Sequence, residues 1–385
     1  MLDSWQRFNQ CVPADLAGAH ASHLPLPMTE LLGQIVEERY CIEEEIGCGA
    51  TGMVFRARHV RVGRQVAIKV LHGHLMRDPV MVERFEREAA AVARLHHKNL
   101  VNVIDVGETH QQRFMVLDLV RGPSLATIIT HALFAPSRVI HLTKQLLAGL
   151  EHAHGAGLVH RDLKPENVIV ECDSTGVEVP RIVDFGIAVL RDRTAKRLTA
   201  EGTILGTPAY MAPEQAKGGA PDPRSDLFAL GVIVYEMLAG KQPFDGSSME
   251  IVLANMSLDP PRIQDRSHVE VDPLLEAFAR KLMARRLRDR FPSARAALDV
   301  LELVERDRDA AARVLGVTLE PLPLQKVIAM LRRRAEAERA TAATEPLVPP
   351  RRRWPILAGA VLVIGAAIGW HVVRPARAEL IEVLR

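Results

Sequence analysis

The sequence predicts an α+β fold of two lobes: a small antiparallel sheet crossed by one helix, then a mainly helical body, with a single transmembrane helix near the C-terminus. Three observations carry this. Short β-rich runs punctuated by glycine fill residues from about 40 to 70. The pattern turns largely helical from Leu125 onward, and the 20 residues of 354–373 carry no formal charge.

Residues 1–33 mix Pro13, Pro25 and Pro27 with small and polar residues and show no sustained period, so a flexible leader is expected there. The runs CIEEEIG, MVFRARHV and RQVAIKV, separated by Gly49, Gly52 and Gly63, read as successive antiparallel strands. A helix follows: Asp78 can cap it, Pro79 fits its first turn, and Val82, Phe85, Ala89 and Val92 fall on one face. Two more strand-like runs, LVNVIDVGE and RFMVLDLV, end before Gly122 and Pro123, which sets a small lobe at 34–118 and a helical lobe at 119–315. Within the latter, SDLFALGVIVYEMLAG is apolar almost all round. It reads as a buried helix capped by Ser225 or Asp226 and ended by Gly240. Residues 316–353, with RRR runs at Arg332 to Arg334 and Arg351 to Arg353, form a linker, and 374–385 a short tail.

A chain with 48% hydrophobic and 25% charged residues is not disordered throughout. Its 49 Lys plus Arg against 47 Asp plus Glu leave a net charge of +2, so no nucleic-acid partner is expected. Cys11, Cys41, Cys48 and Cys172 are far apart and form no CxxC pair, which argues against a disulfide framework and a zinc site. His96 with His97, and His152 with His154, lack a third ligand at metal spacing and read as structural or solvated. The N-terminus lacks the basic and apolar pattern of a secretory signal.

The chemistry begins at GCGATG. Gly47, Gly49 and Gly52, with Cys48, Ala50 and Thr51 between them and Val54 beyond, allow backbone amides to approach phosphate oxygens without Cβ interference. A dinucleotide fingerprint would open a helix here, whereas MVFRARHV continues as a strand, so the loop is a flap between strands. Lys69 in VAIK lies on the next strand, where an ammonium can reach the phosphates of a nucleotide under the flap. Glu88 on the helix is its expected carboxylate partner, nearer the apolar face than its rival Glu86. HRDLKPEN then spans His160 to Asn167, DFG spans Asp184 to Gly186, and APE spans Ala212 to Glu214.

With these motifs in order from about Tyr40 to about residue 303, the chain resembles the eukaryotic-type serine/threonine protein kinases, and in general style their bacterial membrane-anchored members. The resemblance implies the bilobal kinase fold and transfer of the γ-phosphate of ATP, with Mg²⁺ or alternatively Mn²⁺, to Ser and Thr of protein substrates. Asp162 would then accept the hydroxyl proton, Lys164 would neutralise the γ-phosphate, and Asn167 and Asp184 would ligate the metal. Asp118 and Val120 fall on the adenine-binding connection, and Thr207 on the loop facing Asp162. Glu214 would pair with Arg290, Asp226 would brace the catalytic loop, and His160 would pack rather than carry protons. Phe228 stands where relatives often carry Trp. Arg161 beside Asp162 implies an activating phosphate, expected by autophosphorylation at Thr199 or Thr203. A membrane-anchored pseudokinase scaffold is the alternative; it would have lost Lys69, Asp162 or Asp184, and all three are present.

Residues 354–373 would reach roughly 30 Å as a helix, enough for one crossing, with Trp354 and Trp370 at the ends. Arginines cluster on the N-terminal side, which predicts a single-pass cell-membrane protein with a cytoplasmic kinase part, the bacterial inner membrane being the expected location. Gly365 and Gly369 form a GxxxG step through which a homodimer could pack.

Overall fold

The computed structural model describes residues 31–49, 52–72, 79–109, 112–131, 134–185, 208–267 and 270–319, without the side chains of Val80, Met81, Arg84, Arg87, Glu88 and Thr109. The leader through residue 30, the cap at Asp78 and the membrane span at 354–373 lie outside these residues. Among the described residues, no helix is long and apolar enough to cross a membrane.

The three expected runs become β2 (Tyr40–Gly49), β3 (Gly52–His59) and β4 (Gln65–Leu71), preceded by β1 (Ile35–Val36). With β5 (Val103–Thr109) and β6 (Gln112–Asp118) they form one antiparallel sheet in the order β1-β2-β3-β4-β6-β5. Strand alternation sorts the sheet's two faces. Ile68 and Val70 join Tyr40, Ile42, Phe55, Phe114 and Val116 on one face. Ala67 and Leu71 join Met115 and Leu117 on the other, where α1 (Pro79–Val92) lays down Phe85 and Ala89. Lys69 alternates with Ile68 and Val70, and so shares the α1 face.

Two boundaries shift from the sequence expectation. Leu31 is fully buried with the β2–β3 face, and Gly33 N–H donates to Ile42 O, so ordered packing starts before residue 34. At the other end, Val317 and Leu319 pack on the helical core, which carries the second lobe past residue 315. In both places apolar side chains find a core that the local composition does not announce.

The helical lobe is built on α5 (Pro223–Ala239), buried nearly all round as its continuous apolar run requires. Its cap corrects the sequence reading: Asp222, not Ser225 or Asp226, accepts from Arg224 N, because Pro223 fits the first helical position and starts the helix earlier. Gly240 ends it in the left-handed region at φ 71°. Around it stand α2 (Leu125–His131), α3 (Pro136–Gly155), α4 (Pro213–Ala216), α6 (Ser248–Ser257), α7 (Ile263–Arg266), α8 (Pro273–Leu282), α9 (Ala294–Arg306) and α10 (Arg308–Leu315). A hairpin, β7 (Val168–Cys172) with β8 (Glu178–Ile182), lies beneath the connection between lobes. That connection passes so close that a Cβ on Gly122 would stand 2.0 Å from Val170 O, which explains the glycine.

Candidate active site

The site forms where β4, the loop from His160 to Asn167 and the end of β8 converge. Lys69 is only 6% exposed, and its Nζ donates to Asp184 Oδ1 at 2.7 Å. Asp184 follows β8 by two residues and adopts φ 57°. Burial alone would push its carboxyl up, but Lys69, with His160 and Lys164 nearby, outweighs that and holds it below the usual carboxylate range. The group is therefore an anion across the neutral range.

The catalytic loop is tied from within and from below. Lys164 Nζ donates to Asp162 Oδ2 at 2.9 Å, and Asn167 Nδ2 donates to Asp162 O at 2.8 Å and to its Oδ2 at 3.4 Å. Val183 N–H donates to Asn167 O at 2.9 Å, which joins this loop to the segment leading from β8 to Asp184. From the buried first turn of α5, Asp226 accepts the N–H groups of His160 and Arg161 and His154 Nε2, each at 2.8 Å. It braces the loop as expected. Arg161 sits at φ 69°, a left-handed conformation costing about 1–3 kcal/mol for a residue with a side chain. The Asp226 bond on its N–H and the Gln215 Nε2 bond on its carbonyl, at 2.8 Å, hold it there. His160 is fully buried, bonded to Val183 O and tilted against the Phe185 ring, a packing residue as read.

Over this floor lies the flap. Gly47, Cys48 and Gly49 end β2, and Gly52 and Val54 open β3, while Ala50 and Thr51 lie outside the described residues. A Cβ on Gly52 would meet Val70 O at 1.9 Å, so glycine is required for β3 to lie against β4 there. Val54, Val120 and Val183, partly buried, pack against the cluster that holds Ala67 and Leu117.

Other expected residues fall differently. The Asp118 carboxylate accepts from Arg64 Nη2 at 2.6 Å and Asn102 Nδ2 at 2.7 Å, and its N–H donates to Asn102 O at 3.0 Å, so both its side chain and its amide are engaged within the protein. Glu86 is exposed and paired with Arg113, so the rival to Glu88 faces away. Glu88 belongs to α1, but its side chain lies outside those described, as do Thr199, Thr203 and Thr207 altogether. Glu214 meets Arg290 in a bidentate pair at 2.7 and 2.9 Å, and the guanidinium lies 5.0 Å from the Phe228 ring centroid. His97 stacks on His152, and burial lowers its pKa, while His154 serves Asp226. No metal-holding group of three His, Cys, Asp or Glu occurs among the described residues.

Sequence reasoning missed Gln215 and Asn255. Asn255 Nδ2 lies within 3.2–3.3 Å of the carbonyls of Pro208, Ala209 and Met211, and so anchors the stretch before α4. Gln215 directly follows APE, a position that offers a hint; Asn255 offers none.

Residues 40–301 match the family described as the protein kinase domain. The chain is 37% identical over 307 residues to serine/threonine-protein kinase pkn3 of Myxococcus xanthus, covering 76% of this chain and 56% of that protein. It is 40% identical over 230 residues to serine/threonine-protein kinase PknL of Mycobacterium tuberculosis, covering 59% and 56%. The chain thus spans about half the length of these curated relatives. Among solved structures, the kinase domain of Mycobacterium tuberculosis PknI aligns with a TM-score of 0.56 at 27% identity, over 71% of this chain and 98% of that one. Fold, motif geometry and a family match across most of the sequence agree, and the chain belongs to the protein kinase domain family.

Proposed function

We propose that this protein transfers the γ-phosphoryl group of ATP to serine and threonine hydroxyls of protein substrates. The observation that carries the reading is one hydrogen-bonded constellation: Asp162 with Lys164 and Asn167 on the loop, joined through Val183 to Asp184 and its buried partner Lys69. Relatives named serine/threonine-protein kinases support the choice of acceptor.

In this reaction Asp162 accepts the proton of the substrate hydroxyl and orients its oxygen at the γ-phosphorus. The new O–P bond forms as the bond from that phosphorus to the bridging oxygen breaks, and ADP leaves with the electron pair. Lys164 neutralises charge on the transferring group, and Lys69, aimed by Asp184 and Glu88, holds the other phosphates. Thr207 serves the substrate side of Asp162, while Gly47 to Gly52, Val54 and the backbone of Asp118 and Val120 enclose the nucleotide.

The donor set suits Mg²⁺, with Mn²⁺ as an alternative. Asn167 spends its amide N–H on Asp162 and keeps Oδ1, and Asp184 bonds Lys69 through Oδ1 and keeps Oδ2, both hard oxygens. When bound there, the metal supplies positive charge to the triphosphate and to the charge that develops on it.

Two further parts belong to this reading. Residues 354–373 anchor the protein by a single pass in the cell membrane, with the kinase part cytoplasmic and Gly365 and Gly369 available for pairing. Autophosphorylation at Thr199 or Thr203 supplies an anion to Arg161, whose Nε is buried with no hydrogen-bond partner among the described residues. Mass spectrometry after incubation with ATP, Mg²⁺ and a generic protein substrate tests the transfer and the activation step. Phosphoserine or phosphothreonine on the substrate is expected, together with phosphate between residues 186 and 207 of the kinase. An unmodified substrate overturns the activity, and an unmodified segment overturns the activation step alone.

A further inference from the structure

We infer that His72 is a positioning residue for nucleotide binding, acting by fixing the phosphate flap. The inference rests on the proposed kinase activity and adds a residue that none of the recognised motifs contains.

The geometry follows from the strand order. β3 lies between β2 and β4, and the Gly49↔Gly52 pair closes the hairpin above β4, with Gly52 paired to Leu71. His72 is the residue after Leu71, where the chain leaves the sheet on the strand that also carries Lys69. Its ring reaches the end of β2, and Nε2 lies 2.9 Å from Gly49 O. Gly52 lets β3 lie this close to β4, because a Cβ there would collide with Val70 O.

The carbonyl is an acceptor only, so the imidazole must donate through an Nε2–H. Both the neutral ring protonated at Nε2 and the imidazolium meet that need. A peptide unit is planar, so holding the Gly49 carbonyl also fixes the direction in which the following amide N–H is presented. Flap glycines contribute to phosphate binding through such N–H groups, yet glycine loses more conformational freedom on ordering than any other residue. A side chain that holds one peptide plane before the nucleotide arrives reduces the ordering that binding must supply. The same contact ties the flap to the strand that positions Lys69, so backbone donors and ammonium are held against one reference.

Calorimetric titration of the full chain with Mg·ATP, alongside steady-state kinetics, tests this with His72→Ala and His72→Gln. His72→Ala removes the donor, and its Kd and KM for ATP are expected to rise about 3- to 10-fold, the worth of one net hydrogen bond. kcat at saturating ATP, KM for the protein substrate and Tm should stay within about twofold and a degree or two of wild type. His72→Gln supplies an amide N–H of similar reach and should recover most of the affinity. Unchanged ATP affinity in His72→Ala overturns the inference and leaves the kinase reading standing. So does an equal loss in ATP affinity, kcat and Tm, which marks a merely structural residue. Failure of the wild-type chain to bind Mg·ATP overturns both.

Discussion

Replacing Asp162 with Asn is expected to lower kcat by about 10²- to 10⁴-fold, the usual worth of a general base, while Mg·ATP binding stays within a few-fold of wild type. The substitution keeps the side chain's shape and an oxygen for Lys164, which now sits 2.9 Å from Oδ2, but removes the proton acceptor. The bond from Asn167 Nδ2 to the residue 162 carbonyl is untouched, so the loop should keep its form. Single-turnover phosphoryl transfer at saturating nucleotide, with affinity measured separately, separates the two effects. A kcat within threefold of wild type would remove Asp162 from the chemistry.

The second large effect is on stability. Arg290 has a fully buried side chain that bonds both Glu214 oxygens and the carbonyls of Ala284 and Arg224, at 2.6–2.9 Å. Glu214→Ala strands that guanidinium without its counter-ion, a change expected to cost about 3–5 kcal/mol and to lower Tm by roughly 10 °C. The pH dependence has a definite sign. Burial would raise the Glu214 carboxyl, but Arg290 and Ser225 together hold it below its ordinary 4.5. A depressed folded value means that the pair stabilises above the ordinary value and is lost as pH falls through the folded one. Thermal unfolding should therefore show wild type losing more stability than Glu214→Gln between about pH 5 and pH 2. Parallel profiles, or a Glu214→Ala loss under 1 kcal/mol, would show that the pair is not held as drawn.

How much was legible in the sequence depends on how far apart the partners are. Lys69 could be assigned to its strand because the β-rich run is local, and Asp162, Asn167 and Asp184 could be assigned because their motifs are compact. The Glu214–Arg290 pair and the Asp226 brace came from the family resemblance, and both stand in the structure. The missed contacts span the chain. Gln215 reaches Arg161 across 54 positions, Asn255 reaches Ala209 across 46, and His154 reaches Asp226 across 72. No spacing rule connects such residues; only the packing around α5 brings them together. The misplaced cap is a different lesson. PDPRSD offers three possible caps, and the proline, which prefers the first helical position, selects Asp222 and frees Asp226 for the catalytic loop.

The central claim is that Lys69, Asp162, Asn167 and Asp184 serve one cleft that moves phosphate from ATP to protein. Transfer of label from γ-labelled ATP to a generic protein, run side by side for the wild-type chain and Lys69→Met, addresses it most directly. Label on serine and threonine with the wild type, and its loss by at least 100-fold with Lys69→Met, is the result the account requires. No label with the wild type, or equal label from both, would contradict it.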